Sequence, residues 1–326
     1  MLRQCIGLFL CSIILRAEGL TLLVLQKAAS SLAFYTPAGE KLGVAPVGRH
    51  PHEMVLSPDG RYLYCTDNGT MRIEQPGTGG NTVSIVDLRA RKKIGEISLG
   101  EYRRPHGIDI DRNTGRLAVT TELPDQLLII DPGERKILQH FDTQGKTSHM
   151  VTLSPDAGYA YVSNSNSAAI SAINLSNGAV TMIPTGPRPE GSVLSRDGRY
   201  LYVGNRNGST ISIIDTANRK KAGDIECGKG PVRIALTPDD KWLMYALYNE
   251  NKVEIADTVS RKVVAQVALP GQPVSLKLSR DGGRAFASAE DKDIIYVVSV
   301  AERRIVRQIK TAPGSGPDPV MEMPVQ

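Results

Sequence analysis

Three of the five histidines in this 326-residue chain fall at equivalent places in similar stretches. In "RHPHEMVLSPDG", "RRPHGIDIDRNTG" and "TSHMVTLSPDAG", His52, His106 and His149 each stand one residue into an apolar run. The next such stretch, "RPEGSVLSRDG", holds Glu190 at that place, and the two after it hold Val232 and Val274. Imidazole nitrogens are good ligands for copper, zinc and iron. Three of them with a carboxylate can hold a transition metal and leave a position for water or substrate. The candidate metal set is therefore His52, His106, His149 and Glu190, with Glu190 also the candidate general base. Duplication of a repeat can place a histidine without giving it a task. Against that, these histidines are consecutive in the repeat order and then give way to other residue types.

The elements that would position them follow a regular unit. Its starts fall at Pro51, Pro105, Ser148, Pro189, Pro231 and Pro273, spaced 54, 43, 41, 42 and 42 residues apart. Each unit reads as four short strands. Strand A is the apolar run before an "SPDG"-type turn, strand B the "LYV" run, strand C ends in "VD" or "ID", and strand D resembles "KKIGEISL". Asp-Gly between A and B suits a tight hairpin. Four antiparallel strands repeated every 42 or so residues are the signature of a β-propeller. Residues 20–48 supply strands B, C and D without A, and "GSGPDPVMEMPVQ" supplies a lone A. Six whole units and one split unit make a seven-bladed, all-β propeller. Pairing of the N-terminal strands with the C-terminal strand closes the ring and removes its open edge.

"SRDGRYLYVGN" and "SPDAGYAYVSN", ending at Asn205 and Asn164, resemble the YVTN-type seven-bladed β-propeller repeat family. The resemblance covers nearly all of the chain after residue 19 and implies the fold. It implies no single activity: similar propellers include lactone hydrolases and the propeller domains of nitrous oxide reductase and cytochrome-type nitrite reductase. The single Trp242 leaves no Trp-Asp pair per blade and no tryptophan docking signature, unlike WD40 proteins and quinone-cofactor dehydrogenases.

In such a fold strand A lines the central channel, and the start of A shares its face, here called the top, with the B–C and D–A loops. Sites are usually built on such loops. The A-strand slot carries His52, His106, His149, Glu190, Val232 and Val274, with Asp318 or Val320 as the seventh member. A second ring follows strand B: Lys27, Asn68, Glu122, Ser165, Arg206, Tyr248 and Glu290, which differ blade by blade as ligand contacts do. Arg103, Arg104 and Arg188 in top loops could hold an anionic group. With Arg206, Tyr248 and Glu122 they form the candidate ligand rim. Glu53 either orients a neighbouring histidine or lies on the blade's outer face. An insertion, "NGTMRIEQPGTGGN" (Asn68 to Asn81), enlarges one top loop.

Composition narrows the classes further. A net charge of +5 without a dense basic stripe argues against nucleic acid. Basic C–D turns such as "RARKK" are offset by nearby Asp59, Asp156 and Asp197. The opening "MLRQCIGLFLCSIILRAEG" has Arg3 before an apolar run too short to span a bilayer, as a Sec-type signal peptide over residues 1–19 would. A single propeller domain then follows over 20–326, in a periplasmic or extracellular compartment, without stable membrane insertion and as a monomer. Cys65 and Cys227, far apart in repeat order, indicate no disulfide framework. Three functions are open. One is an exported binding protein for a metal or small metal-bearing ligand. The second is a metal-dependent enzyme, either a hydrolase of a lactone-like substrate or an oxidoreductase. The third is a scaffold for another exported protein. No Ser–His–Asp order, phosphate loop or zinc-type Cys pair is assignable.

Overall fold

The computed structural model describes residues 20–323. The expected signal peptide lies outside them. Seven four-stranded antiparallel sheets succeed one another, six of them in simple chain order from innermost strand A to outermost strand D. In the remaining blade, here blade 1, the chain's last strand, Pro317–Met323, pairs with Thr21–Gln26, which continues into Ser31–Tyr35 and Lys41–Pro46. The seven-bladed, split-blade propeller is the architecture the repeat predicts. Among the described residues no helix is long and apolar enough to cross a membrane, and Cys65 and Cys227 are free thiols.

The repeat's turn residues show why the unit folds locally. Ser57 Oγ donates to Asp59 Oδ1 and accepts from Tyr62 N at 2.9 Å, closing the A–B turn. Ser154, Ser195, Thr237 and Ser279 do the same with Asp156, Asp197, Asp239 and Asp281. The asparagine closing "LYVGN" is structural too. Buried Asn205 accepts from Gly186 N at 3.1 Å and donates to Thr210 and Ser212, tying the D–A loop to strands B and C. Strands B and C are buried, whereas strand D alternates, as in Lys92–Ser98, because only one of its faces meets a neighbouring blade.

The core lies between blades rather than in one mass. Val55, Ile85, Ile110, Leu117 and Leu128 pack blade 2 (Pro51–Ser98) on blade 3 (Arg103–Asp142), and equivalent clusters fill the other gaps. This close packing fixes where each strand A begins. In every blade the A–B register shifts at that point, for example between Pro51 and Met54 and between Pro231 and Arg233. A β-bulge re-aims side chains. Here it turns the slot residue, one after the opening Pro or Ser, into the channel mouth.

Candidate functional site

The bulges deliver the slot residues to one partly covered chamber at the top of the channel, about 70 Å³ in volume. Its walls include His52, His106, His149, Glu190, Val232, Val274 and Asp318. Asp318, not Val320, is thus the seventh member; Val320 packs into the core with Leu22 and Ile309. From the second ring, Lys27, Arg206, Tyr248 and Glu290 also face it. Asn68 and Ser165 instead brace the backbone, donating to Pro105 O and Pro189 O.

The three imidazoles meet, but as a packed relay. His52 and His106 lie edge to face with centroids 4.3 Å apart, and His106 and His149 are 3.7 Å apart and tilted. His52 Nε2 is 2.7 Å from Thr70 O, His52 Nδ1 is 3.2 Å from His106 Nε2, and His106 Nδ1 is 3.2 Å from Glu122 Oε1. Burial, reinforced by the other imidazoles and nearby cations, holds His52 and His149 well below the usual imidazole range, and burial pushes His106 down to about 3. All three rings are neutral at pH 7. A carbonyl only accepts, so His52 Nε2 carries the proton and its Nδ1 accepts from His106 Nε2–H. His106 Nδ1 is then an acceptor, and its contact with Glu122 needs a proton from the carboxyl. Burial pushes Glu122 up to about 7, against the pull of Arg104, whose Nε lies 2.8 Å from Oε2. The donor order is therefore Glu122, His106, His52, Thr70 carbonyl.

His52, His106, His149 and Glu190 do come to one chamber, but most of their polar atoms are already engaged. Two imidazoles spend their nitrogens on each other, on Thr70 and on Glu122. Glu190 Oε1 accepts from both Arg188 Nε and Arg206 Nη1 at 3.0 Å. Among the described residues no group of three or more His, Cys, Asp or Glu side chains is placed to hold a metal ion. Both guanidiniums converge on the same Glu190 oxygen, Oε1. His149 differs from its neighbours: its buried Nδ1 has no hydrogen-bond partner, and neither does Asp318 Oδ1.

The rim arginines divide. Arg104, at the start of its strand A, and Arg188, just before its strand, both have left-handed backbone conformation and engage Glu122 and Glu190 rather than lining the chamber themselves. Arg206 stacks on the Tyr248 ring, 4.4 Å from its centroid. Arg103 pairs in register with Leu123 at the edge of blade 3 and does not line the chamber. Glu53 is in neither expected position. It forms a buried ion pair, at 2.9 Å, with Arg233, three blades away round the closed ring, so the two side chains bridge the channel. Lys27 lies between Glu290, at 2.5 Å, and Asp318, at 2.8 Å. Arg233 was not singled out from the sequence, and the Asn68–Asn81 insertion was expected only to enlarge a top loop, not to reach across the mouth. Glu53 and Arg233 occupy the same repeat position, one past the slot, and their opposite charges there were the available signal.

The insertion partly covers the chamber. It leaves blade 2 after Asp67, and its Met71, Arg72, Ile73 and Glu74 form the roof. Thr70 supplies the carbonyl that His52 binds. Arg104 donates to Ile73 O and Gln75 O, Arg72 to the Tyr248 hydroxyl, and Arg188 to Glu74. The site is thus a partly roofed polar chamber at a propeller mouth, with an ion pair bridging the channel, neutral imidazole walls and paired charges around it.

Comparison with known proteins agrees with that architecture. The family model "Cytochrome D1 heme domain" matches residues 183–310. That span holds Arg188, Glu190, Arg206, Arg233 and Tyr248 but none of the three histidines. No curated protein matches the chain. Among solved structures, the hydrazine synthase of Kuenenia stuttgartiensis is similar at TM-score 0.74 and 22% identity, over 86% of this chain and 92% of that one. A functionally unknown protein from Desulfotomaculum acetoxidans DSM 771 is similar at TM-score 0.78 and 14% identity, over 93% and 98%. The dihydro-heme d1 dehydrogenase NirN is similar at TM-score 0.67 and 16% identity, over 90% of this chain and 64% of that one. At these identities the likeness is one of fold.

Proposed function

We propose that this chain is an exported YVTN-type propeller that binds one small ligand in the channel-mouth chamber, with His149 as the nitrogen that meets it. The observation that carries this reading is the unpartnered, fully buried His149 Nδ1. Leaving such an atom unsatisfied costs about 1–3 kcal/mol, and a ligand hydrogen-bonding group or a ligand-borne metal would satisfy it. Asp318 Oδ1 offers a second free acceptor in the same wall. Binding is favoured over hydrolysis because Glu190 is held by two arginines and two of the imidazoles are committed to each other.

The match over residues 183–310 favours a second reading, in which the ligand is of the heme class. The donor chemistry suits it, since a neutral imidazole nitrogen can ligate iron. The space does not. About 70 Å³ accommodates a few waters or one small polar group, far less than the ~300–1,000 Å³ of ordinary ligand pockets. With Met71–Glu74 in place over the mouth, the chamber does not take a tetrapyrrole.

The test is native mass spectrometry and metal analysis of protein purified from the periplasm, wild type beside His149→Phe. It is followed by titration of each with copper, zinc, ferrous iron and hemin. A retained adduct or metal that is lost in His149→Phe supports the reading. If wild type carries nothing and takes up neither these four probes nor a small carboxylate such as succinate, or if both proteins bind equally, the reading fails.

A further inference from the structure

The roof is a strap held at its far end by charge. At its base it is tied to the backbone: Gly69 N donates to Arg49 O, and Gly80 N donates to Asn68 O at 2.6 Å. Glycines are required there. Gly69 and Gly79 have φ of +83° and +64°, and a Cβ at Gly69 would lie 2.2 Å from Gly80 N. Among the described residues no backbone–backbone hydrogen bond crosses the mouth to the tip, although Arg104 donates to the carbonyls of Ile73 and Gln75 from the neighbouring blade. The tip's far contacts are Arg72 to the Tyr248 hydroxyl at 3.0 Å and Glu74 to Arg188. Arg72 and Glu74 are both exposed, and Met71 and Ile73 are only half-buried, so little apolar burial fastens the tip.

The charge count is uneven on the side of Arg188 and Arg206, whereas on the other side Lys27 faces two carboxylates, Glu290 and Asp318. Arg188 and Arg206 share one carboxylate oxygen, Glu190 Oε1. Two guanidiniums against one carboxylate leave an excess of one positive charge. Both arginine side chains are largely shielded, at 17% and 21% exposure, so water compensates that charge only in part. The strap's Glu74 supplies the missing negative charge. Arginine forks match carboxylates in geometry as well as in charge.

We propose that Glu74 occupies a ligand-carboxylate subsite formed by Arg188 and Arg206, so that the chamber's ligand is a small carboxylate that displaces Glu74 and lifts the strap. This rests on the reading that the chamber takes a small ligand, and it adds the ligand's chemical class and the way it gains access. The strap is then a self-competitor: its own carboxylate must leave before the ligand's can bind.

Titration calorimetry with acetate, succinate and citrate at low salt tests this on the full chain, with wild type, Glu74→Gln, Arg188→Gln and Arg188→Lys. Succinamide serves as the uncharged control. Glu74→Gln removes the competitor, and because Glu74 is exposed it leaves the fold intact. The expected result is roughly three- to tenfold tighter carboxylate binding by Glu74→Gln than by wild type. Binding is lost in Arg188→Gln, partly kept in Arg188→Lys, and absent with succinamide. Equal affinity in wild type and Glu74→Gln, carboxylate binding that survives Arg188→Gln, or no binding of any of the three acids would overturn the proposal. If His149→Phe still loses a retained ligand while Glu74→Gln changes nothing, the strap inference alone falls. If neither variant matters, both readings fall.

Discussion

Replacing Glu122 by Gln tests the proton relay directly. The amide keeps the shape of the protonated acid: its NH₂ donates to His106 Nδ1 and its oxygen stays beside Arg104 Nε. The substitution removes only the titration. In the native protein burial raises the Glu122 carboxyl from 4.5 to about 7. Between pH 4.5 and 7 the folded state therefore holds a proton that the unfolded chain has released. Stability falls with rising pH wherever the native state binds more protons. This contribution is present below pH 4.5 and is lost as pH rises to 7. At ~1.4 kcal/mol per pH unit, the loss from pH 5 to pH 8 is about 2–3 kcal/mol. The three histidines act in the opposite sense. Burial keeps them neutral in the fold, while the unfolded imidazoles protonate below about 6.5, so they destabilise the protein as pH falls through that value. Both proteins share the histidine contribution, and it cancels in their difference. Urea unfolding at pH 5, 6, 7 and 8, followed by far-ultraviolet circular dichroism, gives that difference. Wild type should lose about 2–3 kcal/mol relative to Glu122→Gln between pH 5 and pH 8. A gap that is constant across this range would refute the donor order assigned to the relay.

Two further outcomes follow from groups near the chamber. Arg233→Met strands Glu53 as an unpaired buried carboxylate in the channel and should cost about 3–5 kcal/mol, whereas the double variant Glu53→Gln/Arg233→Met should recover most of that; chemical denaturation of the three proteins measures it. Gly107→Ala should destabilise by about 1–3 kcal/mol, read as a lowered melting temperature, because its Cβ would meet His149 O at 2.6 Å and Val151 N at 2.7 Å, both of them backbone atoms of the next blade.

The fold was legible because each repeat states it again. "SPDG" turns, alternating strand D and the split first unit are local signals, and seven copies average out the ambiguity of any one. The gathering of His52, His106 and His149 was legible for the same reason: one slot in a closed ring is one place in space. What those histidines do there was not legible, since it depends on ring orientation and on partners from distant parts of the sequence. The repeat period says that three imidazoles meet. It does not say that His52 turns one nitrogen to Thr70, on an insertion that interrupts the period, or that Glu122 engages His106 rather than a ligand. Glu53 and Arg233 show the same limit. They are 180 residues apart, and only the ring's closure makes them neighbours across the channel. Residues that break the repeat hold most of the chemistry of the mouth: the Asn68–Asn81 insertion, the single pair of opposite charges one past the slot, and Lys27 facing the chain's last strand. A propeller scaffold needs each blade to be alike, whereas a site with one ligand orientation needs the blades to differ at the mouth. The departures from the repeat are therefore the residues whose substitution should alter binding while leaving the blades intact, and Glu74, on the strap farthest from the packed core, is the clearest of them.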